Sequence, residues 1–216
     1  MDKFLKLSLL LFYLIVFFPF CLGKLPPFNP FMLLDINSEN SSSSRFTSAL
    51  GILDTTFGTG GYVIQDIASG NDYGRSLAIQ SDGKILLGGN CYDGSIKLCI
   101  ARFNSNGSLD SSFGTGGYVI QDIASGGDFG LSLAIQSDGK ILLGGNCYDA
   151  SYQFCIARFN SNGSLDSSFG TGGYVIQDIA SGDDYGLSLA IQSDGKILLG
   201  GYCYDASDKF CIARFR

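Results

Sequence analysis

A 56-residue segment occurs three times in tandem, beginning at Leu53, Leu109 and Leu165, with no insertion or deletion between copies. Over 52 aligned positions the second and third copies differ at six, and the first and second at nine. Sequences this alike must adopt one structure three times over. The fold therefore has to be a repeat architecture, in which each unit buries its apolar surface against its neighbours.

The unit itself reads as strands and turns. In the second copy the strand candidates are Gly117–Ile123, Leu131–Gln136, Lys140–Cys147 and Phe154–Asn160. Each is short, apolar and bounded by Gly, Asp, Asn or Ser, which is the strand signature. Ser137-Asp138-Gly139-Lys140 lies between two of them and predicts a tight hairpin turn, since Asp bonds its own backbone and Gly accepts a positive φ. Asn160-Ser161-Asn162-Gly163-Ser164 predicts a second turn. The Gly144-Gly145 pair inside a strand predicts a bulge or a close backbone approach. Leu133 and Ile135 face one way and Ala134 the other, so both sheet faces need cover. Four strands per unit with both faces covered is the blade of a β-propeller. The expected fold is all-β, a β-propeller-like array of three four-stranded blades over 53–108, 109–164 and 165–216.

The recurring blocks LDxxFG, QxDGKILxGG and ARFNxNGSLD stand at fixed spacing from Leu53 to Arg216. In these motifs the chain resembles the delta-60 repeat family, whose members are similar to β-propellers. The resemblance implies a fold and no reaction. The cysteines are a departure from the family's usual pattern. Three copies are fewer than the four to eight blades of a closed propeller. Three outcomes are open: two chains forming a homodimer that closes a six-bladed ring, an open arc, or a truncated repeat fragment without stable function.

Residues 1–23 carry Lys3 and Lys6, an apolar run from Leu7 to Phe18, then Pro19 and the small Gly23. That is the layout of a secretory signal peptide. An uncleaved anchor and lipidation of Cys21 are the alternatives. Residues 24–52, with Pro26, Pro27, Pro30 and a serine tract at 41–44, read as a disordered linker. Arg45-Phe46 is read either as the remnant of another repeat or as part of that linker. The expected location is secreted, periplasmic or on the cell surface, with no membrane association after cleavage.

The six remaining cysteines form one pair per copy: Cys91 and Cys99, Cys147 and Cys155, Cys203 and Cys211. Each pair sits at the end of one strand and the start of the next, so a disulfide can cross the hairpin. An exported chain permits it. No metal site is expected, because there is no C-x-x-C spacing and no histidine.

The absence of histidine also removes the commonest general base. Gly114-Thr115-Gly116-Gly117 precedes a strand rather than opening a helix, so it reads as a turn and not a phosphate loop. Asp66, Asp122 and Asp178 recur identically, whereas acid–base catalysis needs a differentiated pair. Asn104–Asp110 and Asn160–Asp166 carry too few carboxylates for calcium and read as hydrogen-bonded turns. Asn106-Gly-Ser and Asn162-Gly-Ser match the glycosylation sequon. The net charge of −6 argues against a nucleic-acid partner.

The copies differ chiefly at Asn71/Gly127/Asp183, Tyr73/Phe129/Tyr185, Arg75/Leu131/Leu187 and in the stretches 96–98, 152–154 and 208–210. These positions are expected in two strand connections on one side of the array, together with Asp72, Asp128 and Asp184. The candidate ligand-binding residues on that side are Tyr92, Asp93, Tyr148, Asp149, Tyr204 and Asp205. The functional expectation is a non-catalytic binding or scaffold protein, without a cofactor, for a protein or carbohydrate ligand. The alternative is a carbohydrate-active propeller-type enzyme using Asp pairs.

Overall fold

The computed structural model describes residues 51–216. The proposed leader, the repeat remnant at Arg45-Phe46 and nearly all of the linker lie outside the described residues. Eleven strands follow in order: β1 (Asp72–Ile79), β2 (Ile85–Tyr92), β3 (Ile96–Phe103), β4 (Tyr118–Gln121), β5 (Asp128–Ile135), β6 (Ile141–Asp149), β7 (Ser151–Phe159), β8 (Tyr174–Gln177), β9 (Asp184–Ile191), β10 (Ile197–Tyr204) and β11 (Asp208–Phe215). They form three antiparallel meanders, β1-β2-β3-β4, β5-β6-β7-β8 and β9-β10-β11. The expected all-β, propeller-like array of blades is therefore present, with four, four and three strands.

The blade boundary differs from the sequence period. The run that opens a copy was expected to be the first strand of that copy's own blade. Instead, Tyr118–Gln121 pairs with β3 of the preceding copy, Leu98 opposite Gln121 and Ala101 opposite Tyr118. The same register recurs at β7 and β8. Each opening strand thus completes the previous blade. The equivalent residues of the first copy, Tyr62–Gln65, form no strand, because no earlier blade is present among the described residues to pair with them.

The turns form as expected. Gln136 N–H donates to Lys140 O at 2.8 Å and Gly139 adopts φ +83°. In the Asn104 turn, Asn106 Oδ1 accepts from Ser108 N–H at 3.0 Å, so its oxygen is already occupied within the loop. Gly114-Thr115-Gly116-Gly117 is a turn in which Gly117 N–H donates to Phe113 O at 2.9 Å. The close backbone approach is at Gly145, where a Cβ would lie 1.8 Å from Phe129 O. A Cβ on Gly144 would lie 2.9 Å from Leu189 of the next blade. Opposite it, β5 carries a bulge between Gly130 and Ser132.

Two apolar clusters lie between successive blades. Leu86, Ile100, Phe113, Leu133, Leu143 and Phe159 belong to the first. Leu142, Phe154, Ile156, Phe169, Ile197 and Leu199 belong to the second. Burial follows from position in the array rather than from sequence. Leu133 is 8% exposed, while Leu77, its equivalent in the first blade, is 67% exposed.

Blade corners are fastened by a repeated polar clamp. Arg102 Nε donates to Asp110 Oδ2 at 2.8 Å, Lys84 Nζ approaches the same oxygen at 3.1 Å, and the guanidinium stacks on Phe113 at 4.6 Å. Ser112 donates both N–H and O–H to Asp110 Oδ1. Arg158, Asp166, Lys140, Phe169 and Ser168 repeat the arrangement. The Asp of LDxxF, the Arg of ARF and the Lys of the SDGK turn thus converge on one point. The Ser112 hydrogen bonds first, then Lys84 and Arg102, hold the Asp110 carboxyl well below the usual carboxylate range.

Candidate ligand-binding face

The meander register gathers one end of every strand. Asp72 at the start of β1 faces Cys91 near the end of β2; Tyr92 faces Ile96 at the start of β3; Leu98 faces Gln121 at the end of β4. All positions that differ between copies near 71–75 and 96–98 fall at this end. They lie mostly on strands rather than in the expected connections, since β1 begins at Asp72 and β3 at Ile96. The inner-strand bulge displaces Arg75, Leu131 and Leu187 from the ladder register; the first two bulges lie between Gly74 and Ser76 and between Gly130 and Ser132.

Three cross-strand disulfides tie the same end together: Cys91–Cys99, Cys147–Cys155 and Cys203–Cys211, with Cα separations of 5.9, 5.7 and 5.6 Å. The pairing is diagonal. Cys91 stands directly opposite Lys97, and Cys99 lies two residues further along. Three such bonds point to an extracellular or otherwise oxidising compartment. No helix of the described residues is long and apolar enough to cross a membrane.

Tyr92, Tyr148 and Tyr204 are exposed, each lying over a loop glycine. A Cβ at Gly126 would sit 2.6 Å from the Tyr148 ring, so the glycine makes room for it. The neighbouring carboxylates are not equivalent. Lys97 lies 3.8 Å from Asp93 and Lys209 lies 2.9 Å from Asp205. At Asp149 the lysine is replaced by Gln153, and among the described residues the carboxylate accepts only from Ser125 Oγ, at 3.1 Å.

A feature that sequence reading missed joins the second and third blades. Tyr152 packs edge-on against Phe129 at 5.9 Å and Tyr148 at 5.2 Å. It also meets Tyr185 at 5.3 Å, and Tyr185 stacks on Tyr202 at 4.8 Å. Asp183 anchors the row, accepting from Tyr152 N–H at 3.0 Å and from the Tyr185 hydroxyl at 3.4 Å. Burial and the Asp183 charge push the Tyr185 phenol upward, so it stays protonated at neutral pH. Tyr152, Tyr185 and Tyr202 are half-buried. Tyr202 replaces Asn90 and Asn146, one of the few differences between copies, and that substitution was the signal available in the sequence.

Asp72, Asp128 and Asp184 play another part. Asp128 is fully buried, and its Oδ2 accepts from Ile123 N–H at 2.7 Å, closing the loop that precedes β5. Burial raises its carboxyl to about 6, with the nearby Asp122 charge adding to the shift. Asp122 itself is exposed beside Lys97 at 3.7 Å.

This geometry defines a β-propeller-type repeat protein. Residues 80–113, 136–169 and 192–216 match the family model described as a domain of unknown function (DUF5122) β-propeller. The first two matched segments run from the Gln of the hairpin turn to the Phe of LDxxF, hence through two central strands and the clamp. The resemblance drawn from the motifs holds at the level of a β-propeller repeat family. No curated protein matches the chain.

Proposed function

We propose that this chain is a secreted or surface-exposed, non-catalytic binding protein that takes a carbohydrate on the aromatic row between its second and third blades. The observation that carries this reading is the run Phe129–Tyr152–Tyr185–Tyr202, with ring centroids 4.8–5.9 Å apart and carboxylates beside it. These half-exposed rings, edge-on at Tyr152 and stacked at Tyr185 and Tyr202, offer apolar surface to the C–H groups of a sugar, while carboxylates and phenols accept from and donate to its hydroxyls. Asp149, with no lysine paired to it among the described residues, supplies the acceptor at one end, and Asp183 the acceptor beside Tyr152 and Tyr185. The cross-strand disulfides support the exported location. The buried Asp128 and Asp184 and the half-buried Asp72 are engaged by loop backbone, which supports a binding rather than a catalytic role for this face.

The test is a screen of the exported chain against an array of neutral and amino-sugar oligosaccharides, followed by titration of any hit. Tyr152→Ala should weaken binding at least tenfold, and Tyr92→Ala on the first blade should change it less than twofold. Absence of any bound glycan, or equal effects of the two substitutions, refutes the reading.

A further inference from the structure

The two ends of the blade array are complementary. Across the junction between the first and second blades, Leu133 seats on Gly88 and Leu133 N–H donates to Ser76 Oγ at 3.0 Å, while within the first blade Arg102 and Lys84 clamp Asp110 of the segment that leads into its fourth strand. Between the second and third blades, Leu189 seats on Gly144 and Leu189 N–H donates to Ser132 Oγ at 2.9 Å, while within the second blade Arg158 and Lys140 clamp Asp166 of the segment that leads into its fourth strand. Each element of this junction is present once more, split between the two ends of the array.

The third blade carries the receiving half. A Cβ at Gly200 would meet nothing closer than 3.7 Å, so the socket that Gly88 and Gly144 offer to a leucine is open. Phe210 and Ile212 are exposed on β11, whereas their equivalents Phe154 and Ile156 are fully buried. Among the described residues, the outer edge of β11 pairs with no strand, and Arg214 and Lys196 reach no LDxxF carboxylate. An open apolar groove of about 720 Å³ runs between Leu187, Gly200 and Phe210.

The first blade carries the inserting half. Leu77 and Ile79 are exposed on β1, and Ile64 is exposed on the unpaired Tyr62–Gln65 segment. Asp54 is held in its clamp conformation by Thr56 N–H at 3.0 Å and Thr56 O–H at 2.6 Å, without Arg or Lys among the described residues. Those hydrogen bonds already lower its carboxyl. A groove of about 560 Å³ lies between Phe57, Val63, Leu77 and Leu87.

We infer that two copies of this chain associate head to tail by exchanging their 53–65 segments, each completing the third blade of the other to close a six-bladed ring. The internal register dictates the pairing: Phe210 opposite Gln65, Cys211 opposite Ile64, Ile212 opposite Val63 and Ala213 opposite Tyr62 of the second copy. Asp54 of that copy takes Arg214 and Lys196, and its Leu77 fills the Gly200 socket. The acidic residue at one end and the two cations at the other make the joint electrostatically complementary as well as apolar. A heterologous contact closes into a ring when its rotation permits, and six blades lie within the four to eight of closed propellers. This inference goes beyond the carbohydrate reading, and either can fail without the other.

The test is light scattering on the full exported chain, on Leu77→Asp and on Gly200→Val. Leu77 is exposed and Gly200 has open space in the single chain, so both variants keep the blade fold, checked by circular dichroism. The expected result is twice the chain mass for the wild type and the single mass for both variants. A single-mass wild type, or a double mass that survives both substitutions, overturns the inference. Register is read with Tyr62→Cys/Ala213→Cys, which should give a covalent dimer on non-reducing electrophoresis. The slipped pair Val63→Cys/Ala213→Cys should not, and cross-linking by the slipped pair alone overturns the register.

Discussion

Asp110→Asn isolates the clamp. The change preserves shape and keeps Oδ1 for Ser112, but places an amide N–H₂ where Oδ2 now accepts from Arg102 at 2.8 Å and Lys84 at 3.1 Å. Arg102 is buried, so its guanidinium is left facing a donor with little water to replace the carboxylate. Removing one partner of a deeply buried pair costs ~3–5 kcal/mol. The Lys84 side chain is 31% exposed and solvent screens that contact, so a loss of about 2 kcal/mol is expected here. For a domain of this size that lowers Tm by roughly 4–8 °C. The assay is urea unfolding of wild type and variant with the disulfides intact, repeated across pH. Asp110 has a folded-state pKa below its unfolded value, so its contribution is fully present above the unfolded pKa and is lost as pH falls through the folded one. The gap between the two proteins should therefore hold at neutral pH and close only at strongly acidic pH. A gap under about 0.5 kcal/mol at pH 7, or one that persists unchanged in acid, refutes the clamp as a charge interaction.

Asp128 has the opposite sign: its pKa is raised to about 6, so the folded state is favoured below the unfolded value and loses that advantage as pH rises through 6. Asp128→Asn should flatten the wild-type decline in stability between about pH 4 and 7, measured by denaturant midpoints; an unchanged slope counts against it. Replacing Cys147 and Cys155 together with Ala opens a nine-residue loop and should lower stability by about 2–3 kcal/mol in the chain-entropy model. Chemical denaturation checks this, and a change below about 1 kcal/mol would mean that the hairpin is already constrained by its ladder.

Much of the blade was legible in advance. The SDGK turn, the glycine close approach, the paired cysteines and the all-β repeat each depend on local spacing, and local spacing survives in any copy. Site residues divide differently. Tyr148 and Asp149 belong to one hairpin and could be grouped by eye. Tyr152, Tyr185 and Tyr202 come from three strands on two blades, and only packing brings their rings within 5.3 Å of one another in sequence along the row. The strand offset was hidden for a related reason. A tandem repeat has no marked start, so the period of 56 is equally compatible with any phase. The phase follows from hydrogen bonding between Tyr118–Gln121 and β3, which is a long-range choice.

By itself, then, the sequence determined the repeat length, the strand content, the turns and the disulfide partners, because each is settled by residues close together in the chain or by identity between copies. Tertiary structure alone decided which strand completes which blade, why Leu133 is buried while Leu77 is bare, and how the lysine, arginine and aspartate of separate motifs meet in one clamp. Those outcomes depend on whether a neighbouring copy of the repeat is present to complete or cover the blade. Three nearly identical sequences therefore end in three different environments.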